Sequence, residues 1–540
     1  MRGHRFLSRL AALSLVPLSL THAGPSAMPA QLKAGGSETR PESSGFTETS
    51  RYDDVVGFMR SVATGSPRIH LTTFGYSFEG RALPLAIVGN VKDASPESIM
   101  ASGKTRIYIQ GNIHAGEVEG KEALLELLRS IAAGDHASWL DSMVLLVAPI
   151  YNADGNERVI LTNRPSQNGP VGGMGQRANA QNLDLNRDHV KLESPEARSF
   201  VALLNRYDPH MTIDLHTTDG TYHAYHLTYE PPQHPGTAPV VTHYLNEQLL
   251  PAVTREIKRQ DGWDFFFYGN LPWRASEDVR GWYASDHLPR YNHNYVGLRN
   301  RLAILSEAYA YLTLESRIRV TRRFVEEILN FVQAHCDEIR RVTGEADSHS
   351  VVGEQLPVRA GYTKSPRSAE ILLGEVTQER NPFTGATMLR RLDVKKPEVM
   401  PFFVFEPTET ERAPRAYLIP SGLARVIERL EAHGIRSVRL GKTSVMKVER
   451  FRITSSTTES HPYQGHNERT LTGAWQAAEL EIAAGTVMVP VDQPLGRLAF
   501  MLLEPRSDDS LATWNLLDDA LGKAEQYPIL RTSSDLPLPR

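Results

Sequence analysis

The sequence predicts an α/β fold followed by a β-rich C-terminal region. Two observations carry the first part. Strand-length apolar runs alternate with helix-period segments over residues 69–342, and the run 143–150 is apolar throughout, as in a strand covered on both faces. A third carries the second part: beyond about residue 350, short β-type runs recur with one clear helix among them.

Taken in order, Val55, Val56, Phe58, Met59 and Val62 share one face at helical spacing, so folding starts near Arg51. Residues 69–74 and 83–88 read as strands around the turn 75–80, and 106–110 as a third short strand. Residues 119–133 form an apolar-periodic helix stopped by Gly134. Ser194 and Pro195 read as an N-cap and first helical residue, and 211–215 and 302–305 as further buried strands. A long helix over 314–342 ends at Gly344. The polar stretch 345–354 then places a boundary at about 350, between a domain at 51–350 and a β-rich region at 351–540. In that region 371–376, 400–404, 416–419, 445–454 and 478–482 read as strands, and 421–433 as a helix closed by Gly434.

Composition narrows the function classes. The 540 residues are 41% hydrophobic and 23% charged, the balance of a chain that buries a sizeable core. A net charge of −4 gives no global field for nucleic acid or anionic lipid, so neither is expected as a partner. Arg2, Arg5 and Arg9, the apolar stretch 10–20 and Thr21-His22-Ala23 have the pattern of a secretory signal peptide over residues 1–23, which implies a periplasmic or secreted protein. That stretch is shorter than the roughly 20 residues that span a bilayer, and no later run approaches this length, so no membrane span is expected. Residues 24–50, rich in Gly, Ser, Pro and Thr, read as a flexible leader. The single cysteine, Cys336, excludes an intrachain disulfide and reads as a buried thiol. Oligomeric state is left open.

The chemistry concentrates where a strand runs into the loop His114-Ala-Gly-Glu117 just before a helix. A hydrolytic zinc takes three nitrogen or oxygen ligands and leaves a fourth position to water, so a second histidine is needed. His216 suits it, because ligand sites in α/β sheets gather beyond the carboxyl ends of strands and His216 follows 211–215. His335 and Glu338 repeat the spacing inside the long helix, where a solvated i,i+3 pair is the plain reading. A third strand leads to Glu307. A carboxylate beside a metal can accept a proton from water and return it to a leaving amine, whereas the structural alternative pairs Glu307 with Arg299 or Arg301. Between these residues, the polar segment 175–188 carries Arg177, Asn186 and Arg187. An Asn–Arg pair can hold a terminal carboxylate while a second arginine polarises a carbonyl.

His114-x-x-Glu117, Asn152-Ala-Asp154-Gly155, Asp184-Leu-Asn186-Arg187, His216 and a strand ending in Glu307, in that order, resemble the motifs of the zinc metallocarboxypeptidases, the carboxypeptidase A superfamily. The resemblance covers about residues 51–340, and the turn 75–83 is similar to the family's approach to its first ligand strand. It implies a mixed sheet of about eight strands between helices and one Zn2+ per chain on His114, Glu117 and His216. It further implies that Glu307 is the general base, that Asn186 and Arg187 clamp the free carboxylate of a peptide substrate, and that Arg177 polarises the scissile carbonyl, with Arg164 as its competitor. For the family's substrate-contacting tyrosine, Tyr291 stands ahead of Tyr283 and Tyr295.

The implied activity is release of C-terminal amino acids from peptides by a metal-activated water. The alternatives are a zinc amidase acting on cell-wall peptides or N-acyl amino acids, and a non-catalytic binding protein on the same scaffold. Three features depart from the family pattern: Ala153 where proline is usual, the acidic stretch 214–219, and the β-rich half, which simple carboxypeptidases lack. That half looks like the downstream region of exported bacterial carboxypeptidase-like proteins, and its role is not implied.

Overall fold

The first two strands, β1 (Ile69–Tyr76) and β2 (Ala82–Val88), form an antiparallel hairpin that starts a mixed sheet in a computed structural model describing residues 38–273, 278–522 and 525–534. The expected signal peptide, residues 1–23, lies outside the described residues. The remaining strands of this sheet are β3 (Thr105–Gly111), β4 (Met143–Ala148), β5 (Met211–Thr218), β6 (Leu227–Glu230), β7 (Phe265–Phe267) and β9 (Leu302–Tyr309), with the short β8 (Trp282–Tyr283) outside it. Their spatial order is β1-β2-β4-β3-β5-β9-β6-β7, the expected eight-stranded arrangement.

Four neighbouring strands, β4, β3, β5 and β9, run parallel, and every residue of each is buried. Covering both faces demands continuous apolar sequence, which β4 supplies as Met-Val-Leu-Leu-Val-Ala. Each such Val or Leu contributes about 1.5–3 kcal/mol relative to exposure. Because β3, β5 and β9 are adjacent and parallel, their carboxyl ends emerge at one edge, and this brings residues 114, 216 and 307 together.

The helices follow the sequence with one correction. Glu119–Ala133 ends at Gly134 in the left-handed region, and Pro195–Tyr207 begins at Ser194, whose side chain accepts from Ala197 N–H. The long helix, Leu314–Ser348, does not stop at Gly344 but continues past it, with a kink at His335. Burial of Val342, Thr343 and Ala346 outweighs the roughly 1 kcal/mol that a helical glycine costs. His335 and Glu338 form the expected half-exposed i,i+3 pair, and Cys336 is a buried free thiol.

Residues 38–50, assigned to the leader by sequence, are tied to the sheet-covering helix Glu119–Ala133. Thr49 Oγ1 and Ser50 N–H donate to Glu122 Oε1 at 2.7 and 2.8 Å, and the buried Lys121 donates to Ser50 O at 2.6 Å. Composition gave no sign of these partners because they lie elsewhere in the chain.

Beyond residue 350, β10 (Gln355–Lys364) pairs antiparallel with Phe402–Arg412, whose first residues pair in parallel with β8. A six-stranded sheet follows, dominated by the hairpin Ser444–Thr458 and Arg469–Ile482. The expected strand 371–376 is instead two, Ala369–Leu373 and Val376–Arg380, broken at Gly374 where the backbone of His223 approaches too closely for any Cβ. Buried apolar residues of both regions, from Ile304 to Phe500 and Trp514, belong to one contiguous core cluster. Among the described residues no helix is long and apolar enough to cross a membrane.

Candidate active site

The loop carrying His114 and Glu117 is held by close backbone packing. A Cβ on Gly111 would lie 2.8 Å from Lys121 N, and one on Gly120 would lie 2.6 Å from Leu215 Cβ, so the helix that follows the loop packs this closely on β3 and on β5 only because both residues are glycine. Asn112 turns the chain at φ 66°, and its side chain donates to the carbonyls of Ala115 and Glu117, each at 3.3 Å.

Three buried side chains converge there. His114 Nδ1 lies 2.9 Å from Glu117 Oε1, and His216 Nδ1 lies 2.8 Å from Glu117 Oε2. One ligand atom from each falls within 4.8 Å of the others. The far nitrogen of each ring meets a carboxylate: His114 Nε2 lies 3.0 Å from Asp184 Oδ1, and His216 Nε2 lies 3.0 Å from Asp214 Oδ2. Two imidazoles and one carboxylate fit zinc, unlike the all-oxygen sets of calcium or magnesium, and the outer carboxylates are the usual partners of metal-bound imidazoles. Burial pushes the Glu117 carboxyl up, but Arg164, His114 and His216 outweigh it and hold it well below the carboxylate range.

Glu307 stands on β9 in direct register with His216 on β5 and lines the same cleft of about 470 Å³. Its Oε2 is buried without a hydrogen-bond partner among the described residues. Neither arginine that would make it a structural acid is near. Arg299 bonds Tyr295, His433 and Asn205, whereas Arg301 pairs with Asp208 and Asp347. Burial holds the Glu307 carboxyl well above the usual range, against the opposing field of His216.

The arginines line the same cleft. Arg177 is bound to Asp184 Oδ2 through Nε at 2.9 Å and Nη2 at 2.8 Å, with Nη1 3.8 Å from Glu117. Arg164 contacts Glu117 directly through Nη2. Both competitors for the carbonyl-polarising position are therefore at the site. Arg187 lies with its Cζ 3.8 Å from the centre of the Tyr291 ring, and Asn186 accepts from Asn292 N–H at 2.8 Å. Of the three candidate tyrosines, Tyr291 and Tyr283 line the cleft. Tyr295 is buried with its hydroxyl on His433.

Residues 55–262 match the family model described as zinc carboxypeptidase. The chain carries a zinc carboxypeptidase domain. It is 26% identical over 521 residues to carboxypeptidase 2 of Trichophyton tonsurans, covering 92% of this chain and 89% of that protein. The corresponding protein of Trichophyton rubrum is 25% identical over 516 residues, with 92% and 89% covered. The solved carboxypeptidase A of Helicoverpa armigera aligns with a TM-score of 0.40 and 14% identity over 54% of this chain and 75% of that one.

The family match ends before β9, so Glu307 lies outside the matched residues. Several residues of the cleft escaped the sequence reading: Tyr268, Asn270, Trp273, Ser285 and His293 also line it. His293 is buried with neither ring nitrogen hydrogen-bonded among the described residues, and burial pushes its pKa down to about 3. Asp214 carried a legible signal, since residues two apart on a strand share a face and Asp214 precedes His216 by two. Asp184 opens the motif Asp184-Leu-Asn186-Arg187, but its contact with His114 depends on the fold.

Proposed function

We propose that the chain is a zinc-dependent exopeptidase that releases C-terminal amino acids from peptides. Support comes from Glu307, which lines the cleft of the His114–Glu117–His216 group and Arg187 and whose buried Oε2 has no hydrogen-bond partner among the described residues. In this reading His114, Glu117 and His216 hold one Zn2+, which supplies Lewis-acid polarisation and a water of lowered pKa.

The chain's own groups do the rest. Asn186 and Arg187 fix the substrate's terminal carboxylate, and the Tyr291 ring supports the guanidinium from one face. Arg177 stabilises negative charge that develops on the scissile carbonyl oxygen. Glu307 takes a proton at its carboxylate and returns it to the departing amine, a role that suits a carboxyl raised by burial. Asp184 and Asp214 stand at the far nitrogen of each imidazole, which favours a proton at Nε2 and leaves the Nδ1 lone pair for the metal.

The test uses paired N-acylated dipeptides with free and amidated C-termini. The free acids are cleaved by the wild-type chain, the amides far more slowly, and neither by Glu307→Gln. Equal hydrolysis of acid and amide would overturn the exopeptidase reading. We also propose export through residues 1–23, supported by the arginines ahead of the apolar stretch 10–20. N-terminal sequencing of the protein recovered from expressing cells tests this, and a mature start at Gly24 is expected.

A further inference from the structure

The tip of the hairpin between Ser444–Thr458 and Arg469–Ile482 reaches the candidate active site from the other end of the chain. Tyr463 Oη accepts a hydrogen bond from Arg187 Nε at 3.0 Å, and Gln464 Oε1 accepts one from Asp184 N–H at 2.9 Å. The partners are 276 and 280 residues apart.

The tip is fastened. Tyr463 and His466 exchange backbone hydrogen bonds of 2.7 and 2.9 Å across a turn in which Gln464 and Gly465 take positive φ. His466 Nε2 lies 2.9 Å from Glu193 Oε1. Arg290, itself buried, reaches Glu468 at 2.6 Å and Asp509 at 2.9 Å, and its Cζ lies 5.6 Å from the centre of the Tyr463 ring. The Tyr463 hydroxyl is thus offered to Arg187 from a braced support.

Its effect on Arg187 follows from donor geometry. A guanidinium has five N–H groups in a rigid fork. Here Nε is taken by Tyr463 and one Nη1 hydrogen by the Asn186 carbonyl at 2.7 Å, while the plane lies over Tyr291. Among the described residues the hydrogens of Nη2 and the second hydrogen of Nη1 make no hydrogen bond, with Asp184 Oδ2 4.0 Å from Nη1, and they face the cleft that Arg187 lines, where a carboxylate can accept them. An arginine held beforehand in this way gives up less rotamer freedom when the carboxylate arrives.

We infer that Tyr463 is a positioning residue for substrate: through it the β-rich C-terminal region completes the carboxylate subsite by holding Arg187. The inference rests on the reading of Arg187 as the carboxylate clamp. Gln464 anchors the same tip against the segment that carries Arg187.

Tyr463→Phe tests this in the full-length zinc-loaded chain, since it keeps the ring against Arg290 and removes only the hydroxyl. With an N-acylated dipeptide bearing a free carboxylate, KM rises about tenfold, the loss of one hydrogen bond to a charged group, while kcat stays within about twofold. Combined with Arg187→Ala, the substitution produces no further rise in KM, because the contact it removes is already gone. An unchanged KM in Tyr463→Phe overturns the inference, as does an equal rise in the Arg187→Ala background, which would mean the tip acts apart from Arg187. An unchanged KM in Arg187→Ala alone instead overturns the clamp on which the inference rests.

Discussion

His216 and Glu307 are direct register partners on the parallel strands β5 and β9. Side chains so paired project from the same face of the sheet, so a proton acceptor is set beside a metal-ligand candidate by backbone pairing alone. Asp214, two residues before His216 on β5, shares that face and meets His216 Nε2 at 3.0 Å. One strand pair therefore carries a candidate ligand, the carboxylate that faces it and the proposed base.

Replacing Glu307 by Gln keeps the side-chain volume and removes the base. The expected result is a fall in kcat of about 10²–10⁴-fold with the zinc content of the chain unchanged, measured by peptide hydrolysis and elemental analysis. Zinc lost along with activity would make Glu307 a ligand and overturn its assignment as base.

Asp214→Asn removes the charge that faces His216 Nε2 and leaves the three ligand candidates in place. Zinc affinity is expected to fall about 10–100-fold, as measured by competition with a chromophoric chelator. His216→Ala is expected to lose tight zinc altogether, and retention of a full equivalent in that variant would place the metal elsewhere.

Arg187→Ala is expected to lower kcat/KM about 10–100-fold for peptides with a free C-terminus, the effect of losing a charged hydrogen-bonding partner. The slow hydrolysis of amidated peptides should change little. An equal loss for both substrates would indicate structural damage rather than a lost clamp.

His433 predicts an acid-side loss of stability. It is fully buried, accepting from Tyr295 Oη at Nδ1 (2.8 Å) and donating from Nε2 to the Val190 carbonyl (3.2 Å), so it is held neutral. Burial, reinforced by Arg299, pushes its pKa from 6.5 down to about 3. Between these values the unfolded chain binds a proton that the folded chain refuses, so stability falls as pH drops through that window, by up to about 1.4 kcal/mol per pH unit from this residue. Denaturant unfolding of the wild type and His433→Gln across this range should show a shallower slope in the variant. Parallel slopes would contradict the assignment.

The elements most legible in the sequence were those set by local pattern. The apolar run of β4, the Ser194 cap and Gly134 each act within a few residues, and each reads the same in the structure. Gly344 misled because a helix stop is a weak local preference, which the packing of Val342 and Ala346 overrides. Residues 38–50 misled because their composition is that of a loose segment, yet Glu122 supplies the partners that order them. Strand β10 has no periodic pattern of its own to mark it in the sequence and is ordered by pairing with Phe402–Arg412.

The sequence by itself determined the chemistry available: histidines, carboxylates and arginines in motifs whose order resembles one family, on strands whose apolar character required a sheet covered on both faces. Only the tertiary structure decided which of them meet. The register of β5 with β9 set Glu307 against His216, the glycine contacts at 111 and 120 closed the His114 loop, and the hairpin tip brought Tyr463 to Arg187. Side-chain types and periodicities are written along the chain, whereas contacts between distant segments arise from strand order and packing, to which no local pattern answers.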